Sequence, residues 1–353
     1  MSQQGVTTEA AVLAALGKVM DPELGKDLVT MGMIKDIRID GGKVSFGLVL
    51  TTSACPLKKE LEDNSRSAVA AIPGVKEVVV NTSANVPRSK GLPDKASIPG
   101  VKNTIAVASG KGGVGKSTVA INLALSLAKC GASVGVLDAD VFGPSLPTMT
   151  GLHQPLEATA GEKLIPLEKF GVKLVSVGFM LDEETPLIWR GPMVMQLVKQ
   201  FLTGVEYGEL DYLVIDLPPG TGDVQLTLAQ TIPITGSVIV TTPQDVALID
   251  ARRAIKMFEE LKVPIIGIVE NMSYFVCPHC SGTTEIFSQG GAEKTGKRYN
   301  TPLLGKLPLD VAIREGGDSG VPVVEAVPDG EHAKVFSEIA ALVASKLSVL
   351  DLS

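Results

Sequence analysis

Apolar and polar positions follow two rhythms along this chain, and the change between them near residue 103 divides it. Residues 8 to 20 carry Ala11, Val12, Ala15, Leu16 and Val19 at helical spacing. Asp21-Pro22-Glu23-Leu24 ends that helix, because proline disfavours helical backbone at the residue before it. Met33 to Ile39 and Lys43 to Thr51 read as strands, joined by the hairpin signal Asp40-Gly41-Gly42. Thr52-Ser53-Ala54-Cys55-Pro56 leads into a helix from Leu57 to about Ala71, and Val75 to Asn81 reads as a third strand. Residues 1–83 are thus expected to form a small α+β domain. Residues 84–102, with three prolines and two glycines, read as a linker.

Residues 103–353 show a different order. Continuous apolar runs (Thr104–Ala108, Ser133–Leu137, Lys173–Val177, Tyr212–Ile215, Ser237–Thr241, Pro264–Val269, Leu303–Leu307) alternate with helical stretches, notably 118–129, 192–202, 224–230 and 246–261. Strands without polar alternation are buried on both faces. The pattern therefore predicts an α/β fold, a mostly parallel, doubly wound sheet covered by helices. The strand ends carry the polar motifs, and ligands of such sheets bind outside the carboxyl ends of the strands.

Composition narrows the classes. The 353 residues are 45% hydrophobic and 20% charged, with a formal net charge of −7, which suits a globular protein of two domains and argues against coating nucleic acid. Four cysteines with no visible disulfide framework point to a reducing compartment, with a cytoplasmic location as the expectation. The N-terminus lacks a basic region followed by an apolar run, and no stretch of about 20 apolar residues is uninterrupted, so neither a secretory signal nor stable membrane association is expected.

The strongest chemical signal is Ser109-Gly110-Lys111-Gly112-Gly113-Val114-Gly115-Lys116-Ser117-Thr118, which fits G-x-x-x-x-G-K-S/T from Gly110 to Ser117. It lies between a predicted strand and a predicted helix, the context a phosphate-binding loop requires. Glycines let the backbone curl its N–H groups around phosphate oxygens, and the helix N-terminus adds positive potential. Lys116 is expected to reach the β- and γ-phosphates of ATP, and the Ser117 hydroxyl to bind Mg²⁺. Val214-Ile215-Asp216 has the apolar-run-then-Asp form of a Walker-B segment, with Asp216 holding Mg²⁺ through water. Gly220-Thr221-Gly222-Asp223 would be a loop sensing the γ-phosphate. Asp138 and Asp140 end another strand, ahead of Val141-Phe142-Gly143-Pro144-Ser145, and Glu270-Asn271-Met272 ends a further one.

The second signal is Cys277-Pro278-His279-Cys280. Two thiolates at this spacing bind one edge of a tetrahedral metal site. A closed site needs four ligands, which a two-fold dimer supplies when each chain gives Cys277 and Cys280. Four cysteines suit a [4Fe–4S] cluster or zinc. A thioredoxin-type redox pair is a third reading, although that motif normally opens a helix after the first strand of a small domain.

Taken together, the Lys111-bearing loop, Asp138-Ala-Asp140-Val-Phe-Gly-Pro-Ser145, Trp189-Arg190-Gly191-Pro192-Met193, Asp216-Leu-Pro-Pro-Gly-Thr-Gly-Asp223, Asn271-Met272-Ser273 and Cys277-Pro-His-Cys280 resemble, in this order, the Mrp/ApbC iron–sulfur carrier ATPases. These are P-loop NTPases of the deviant Walker-A kind, related to MinD and ParA. The resemblance implies a homodimer in which Lys111 acts on the partner's ATP, with Asp140 orienting the attacking water and Asn271 contacting adenine. Lys306 to Asp310 would line the base pocket. It also implies a labile [4Fe–4S] cluster, passed to apo-proteins with slow ATP hydrolysis, in contact with the cluster assembly machinery. The first domain resembles an iron–sulfur assembly domain through Asp21-Pro22-Glu23-Leu24 and Thr51-Thr52-Ser53-Ala54-Cys55-Pro56-Leu57, in which Cys55 would be an accessory functional thiol lowered by the following helix. Two rivals share parts of this pattern. One is a spatial organiser of the ParA/MinD kind, which needs a basic DNA-binding surface or a basic C-terminal amphipathic helix that residues 333–353 lack. The other is a zinc-stapled scaffold.

Overall fold

The computed structural model describes residues 7–22, 25–89, 97–180 and 191–352. Glu23, Leu24, Trp189 and Arg190, named above, and the middle of the expected linker lie outside the described residues. The chain divides into two units, Met1–Pro87 with Ala344–Ser353, and Arg88–Val343.

In the first unit, α1 (Glu9–Leu16) begins where the Thr8 hydroxyl accepts a hydrogen bond from the Ala11 N–H at 3.3 Å. It stops at Leu16, short of the expected Val19, because the chain turns at Gly17. Strands β1 (Ile34–Asp40) and β2 (Lys43–Leu50) form an antiparallel pair, and α2 (Lys58–Ala70) crosses over to β3 (Glu77–Ala84), parallel to β2. The two-residue turn needs positive φ at both positions, and Gly41 and Gly42 have φ of 52° and 96°. On β2 every second residue points inward: Val44, Phe46, Leu48 and Leu50 are all buried, against Leu16 and Val69 or against Leu28 and Leu61.

The second unit is built on β4 (Val101–Ala108), β5 (Val134–Asp138), β6 (Leu167–Lys169), β7 (Val172–Ser176), β8 (Leu210–Asp216), β9 (Gly236–Thr241), β10 (Ile265–Glu270) and β11 (Leu303–Lys306). Their order is β6-β7-β5-β8-β4-β9-β10-β11, parallel except for β6. The helices are α3 (Lys116–Lys129), α4 (Leu146–Thr150), α5 (Gly191–Thr203), α6 (Asp223–Thr231), α7 (Asp245–Glu260), α8 (Gly291–Tyr299), α9 (Val311–Asp318), α10 (Val323–Ala326) and α11 (Glu331–Leu352). Val198 and Phe201 of α5, Leu228 of α6 and Phe258 of α7 share one core with Ala106, Leu137, Leu213 and Ile215 of the sheet. The intervening strand residues Ile105, Val107, Val136 and Val214 are buried as well, and α3 packs against β4, β5 and β8. Both faces are therefore covered, as the unbroken apolar strands require.

Three features differ from the sequence reading. Strand β4 starts at Val101, inside the expected linker, because Val101 pairs with Leu210 of β8. The approach is close enough that a side chain at Gly100, whose φ is 78°, would collide with the Gly208 carbonyl. The edge strand β6 and the short helices α4, α8, α9 and α10 were not foreseen. Finally, residues 344–352 of α11, expected in the second domain, group with the first unit. There Ala344, Leu347 and Ser348 are buried, and the Ser348 hydroxyl donates to the Thr51 carbonyl at 3.3 Å.

Candidate functional site

The carboxyl ends of β4, β5, β8 and β10 meet where strand β4 passes into α3. Between them the chain loops through residues 109–115, with left-handed backbone at Gly113 (φ 77°) and Gly115 (φ 81°). A Cβ at Gly115 would strike the Asn271 amide, and one at Gly110 would strike the backbone of Asp250 in α7. Three hydrogen bonds hold the loop: Ser109 Oγ to the Lys111 carbonyl at 2.9 Å, the Gly220 N–H to the Ser109 carbonyl at 3.0 Å, and Asn271 Nδ2 to the Val114 carbonyl at 2.9 Å. The loop borders a cleft of about 580 Å³ with Lys111, Gly112, Gly113, Gly115, Lys116, Ser117 and Thr118 on its wall. Gly110 backs onto α7 and Val114 is buried, so these two shape the loop from behind.

Lys116, the first residue of α3, is buried, and its Nζ lies 2.6 Å from Asp216 Oδ1, 3.7 Å from Asp140 Oδ2 and 3.4 Å from Ser117 Oγ. Of the two aspartates that end β5 and follow it, Asp138 holds the turn that comes next. Its carboxylate accepts from the N–H groups of Asp140, Ser145 and Leu146 and from the Ser176 hydroxyl, at 3.0 to 3.3 Å. Asp140 is left facing Lys116 and the cleft. Burial, and then repulsion from Asp216, push the Asp138 carboxyl up to about 7. Burial also raises Asp140, with Lys116 opposing the rise. Three buried carboxylates around one ammonium leave surplus negative charge in a poorly solvated place. A divalent cation at Ser117 and Asp216 fits that surplus and that oxygen donor set.

The far side of the cleft is formed by Asn271, Met272, Pro308, Leu309, Asp310, Ile313 and Arg314. Of the expected phosphate-sensing segment, Gly220 is tied to Ser109, and Pro219 just before it borders the cleft. Beyond Asp140 a second hollow of about 450 Å³ is lined by Phe142, Gly143, Asp223 and Gln225. Two buried residues, Gln225 and Glu270, were given no role in the sequence reading. Among the described residues, neither side-chain polar atom of Gln225 meets a hydrogen-bond partner. The Glu270 carboxylate accepts from the Ser273 hydroxyl at 2.6 Å and from the Ala292 N–H at 2.9 Å. The signal for Glu270 was present, a charge ending the apolar run Ile265–Val269.

Cys277 and Cys280 sit on a hairpin whose short strands are Phe275–Val276 and Thr283–Thr284. The Cys277 N–H donates to the Gly282 carbonyl at 3.0 Å, and the Ser281 N–H donates back to the Cys277 carbonyl at 2.9 Å. Backbone N–H groups of His279 and Cys280, then the Cys280 thiol, hold the Cys277 thiol below its ordinary value. Cys277 is half-buried and Cys280 exposed. Among the described residues, no group of three or more His, Cys, Asp or Glu side chains could hold a metal ion. Cys130 ends α3. Cys55, in the first unit, is half-buried three residues ahead of α2 and borders a water-sized hollow with Asp21 and Thr52. His332 Nε2 lies 3.3 Å from Asp310 Oδ2. Among the described residues no helix is long and apolar enough to cross a membrane.

Comparison with known proteins agrees with this geometry. A family model described as NUBPL iron-transfer P-loop NTPase matches residues 100–344, and one described as iron–sulfur cluster assembly protein matches residues 9–80. An iron–sulfur cluster carrier protein from Synechocystis is 52% identical over 347 residues, covering 97% of this chain and 98% of that protein. One from Escherichia coli is 42% identical over 339 residues, covering 96% and 92%. A solved nucleotide-binding protein from Archaeoglobus fulgidus, in complex with ADP, has a TM-score of 0.59 and 41% identity over 66% of this chain and 91% of its own. The family match over residues 100–344 and the full-length identity to iron–sulfur cluster carrier proteins show that the chain belongs to the NUBPL iron-transfer P-loop NTPases, preceded by an iron–sulfur cluster assembly domain.

Proposed function

We propose that this chain binds and slowly hydrolyses ATP, and that two copies carry a [4Fe–4S] cluster on Cys277 and Cys280 of each and pass it to apo-proteins. The observation that carries this reading is the Cys277–Cys280 hairpin, with Cys280 exposed, Cys277 half-buried and its thiol held below the ordinary value, and no third His, Cys, Asp or Glu placed to hold a metal ion with the pair among the described residues. Lys116 leaves Asp216 for the β- and γ-phosphates when ATP enters, and the loop N–H groups surround the phosphate oxygens. Asp140 accepts a hydrogen bond from the attacking water, whose oxygen bonds to the γ-phosphorus as the bond to the ADP oxygen breaks. Mg²⁺ on Ser117 and Asp216 supplies charge neutralisation for the transferred phosphoryl group. Lys111, half-buried on the cleft wall, reaches the partner's nucleotide, and Asn271 releases the Val114 carbonyl to meet the base. The first unit, with Cys55 as accessory thiol, meets assembly partners, and a reducing cytoplasm suits all four thiols.

Anaerobic reconstitution tests the reading. The expected outcome is about two irons and two sulfides per chain in a species of twice the chain mass. Cys277→Ala with Cys280→Ala should abolish the cluster and leave ATP binding intact. A double variant that still assembles the same cluster overturns the site, and zinc without sulfide in the native protein overturns the cargo.

A further inference from the structure

Strand β10 ends in a charged residue that the chemistry above does not use. Glu270 is fully buried, a costly place for a carboxylate unless donors surround it. Its two donors come from different directions. Ser273 begins the segment leading to the cysteine hairpin, and Ala292 is the second residue of α8. The next residue, Asn271, reaches the opposite way, to the Val114 carbonyl of the phosphate loop. Met272, between Asn271 and Ser273, has φ of 53°, a left-handed backbone that a residue with a side chain keeps only when its surroundings impose it.

From Ser273 the chain continues under tight control. The Ser273 N–H donates to the Leu307 carbonyl at 2.8 Å, and the Tyr274 carbonyl accepts from the Leu309 N–H at 2.7 Å. Three residues later comes Cys277. A second packed route joins the same points. Gly110 abuts Asp250 of α7, Leu248 of α7 abuts Gly291 of α8, and the adjoining Ala292 N–H closes on Glu270. Energetic coupling between sites is carried by contiguous packed groups of this kind.

We propose that the turn Glu270–Ser273 is a mechanical link between the nucleotide cleft and the Cys277–Cys280 hairpin, with Glu270 and Ser273 as positioning residues. The link rests on the function proposed above and names the residues through which its two sites communicate. A nucleotide that draws in the phosphate loop takes the Val114 carbonyl from Asn271, whose amide turns to the base. The strained backbone at Met272 then changes, and the Glu270–Ser273 bond transmits the change to the base of the hairpin.

The test needs no iron. Full-length protein with Cys55→Ser and Cys130→Ser is alkylated by iodoacetamide with and without Mg²⁺ and ADP, while nucleotide binding is measured in parallel. ADP should change the rate at Cys277 and Cys280 by about fivefold or more, the lower range of ordinary coupling. Ser273→Ala and Glu270→Gln should reduce that response to less than about twofold while ADP still binds, and Ser273→Thr should restore it. If Glu270→Gln fails to fold, Ser273→Ala, which removes one hydroxyl, decides alone. Binding of ADP with no thiol response, or a full response in Ser273→Ala, overturns the link. Loss of ADP binding in the parent protein overturns the nucleotide reading and the link with it. Absence of iron at the cysteines would overturn the cargo reading and leave this result standing.

Discussion

Lys116 cannot serve phosphate and carboxylate at once. It is paired at 2.6 Å with Asp216, so nucleotide binding exchanges one partner for another. Lys116→Ala should lower phosphate release from ATP by about 100-fold or more, the scale of losing a charge-stabilising donor in a dry site. Gly115→Ala should weaken nucleotide binding at least about tenfold, because left-handed backbone costs an alanine about 1–2 kcal/mol and the new methyl displaces Asn271. Asp138 gives a pH signature. Its folded value, about 7, lies above the ordinary 3.8, so the folded protein retains a proton that the unfolded chain releases. Its contribution is fully present below 3.8 and is lost as pH rises through about 7. Melting temperature in the absence of nucleotide should fall from about pH 5 to about pH 8, and Asp138→Asn should flatten that slope whatever it does to the absolute value. At this scale the loop residues were legible because their spacing lies within one short segment. The Asn271 bond to Val114 spans 157 positions, and no local pattern encodes it.

The elements that were legible are those long enough to show a period. Strands β4, β8 and β9 and helices α3 and α7 declare themselves through continuous apolar runs or helical spacing. Helix α8 does not, because it opens with Gly290 and Gly291, which read as a turn, and Gly290 does take the left-handed N-cap position with φ of 73°. Helix α4 has five residues with a proline in its first turn, too few for periodicity. Helix α9 matters to the cleft because Ile313 and Arg314 border it. Asp310 caps it by accepting from the Ala312 N–H at 2.7 Å. Asp310→Ala should cost about 1 kcal/mol in chemical denaturation, the usual value of such a cap, and should weaken nucleotide binding severalfold as the first turn loosens.

At the scale of the whole molecule, α11 belongs in part to the first unit. Its last residues group with the first unit, where Ala344 and Leu347 are buried. Ending the chain after Val343 should therefore destabilise the first unit by roughly 2–3 kcal/mol, the scale of one buried leucine side chain, and speed proteolysis between residues 7 and 87. A truncated chain whose first unit resists protease as the intact chain does would refute this.

Residue type and local spacing were enough to show the phosphate loop, the acid-ended strands, the Cys277–Cys280 pair and a small α+β part ahead of the α/β part. Each depends on residue type and spacing within a few turns of chain, and strand–loop–helix geometry follows from that spacing. Tertiary structure alone decided which aspartate caps and which faces the lysine, what Asn271 and Glu270 hold, and which unit receives the end of α11. Those outcomes depend on which strand ends become neighbours, and sheet order is set by packing across the whole domain.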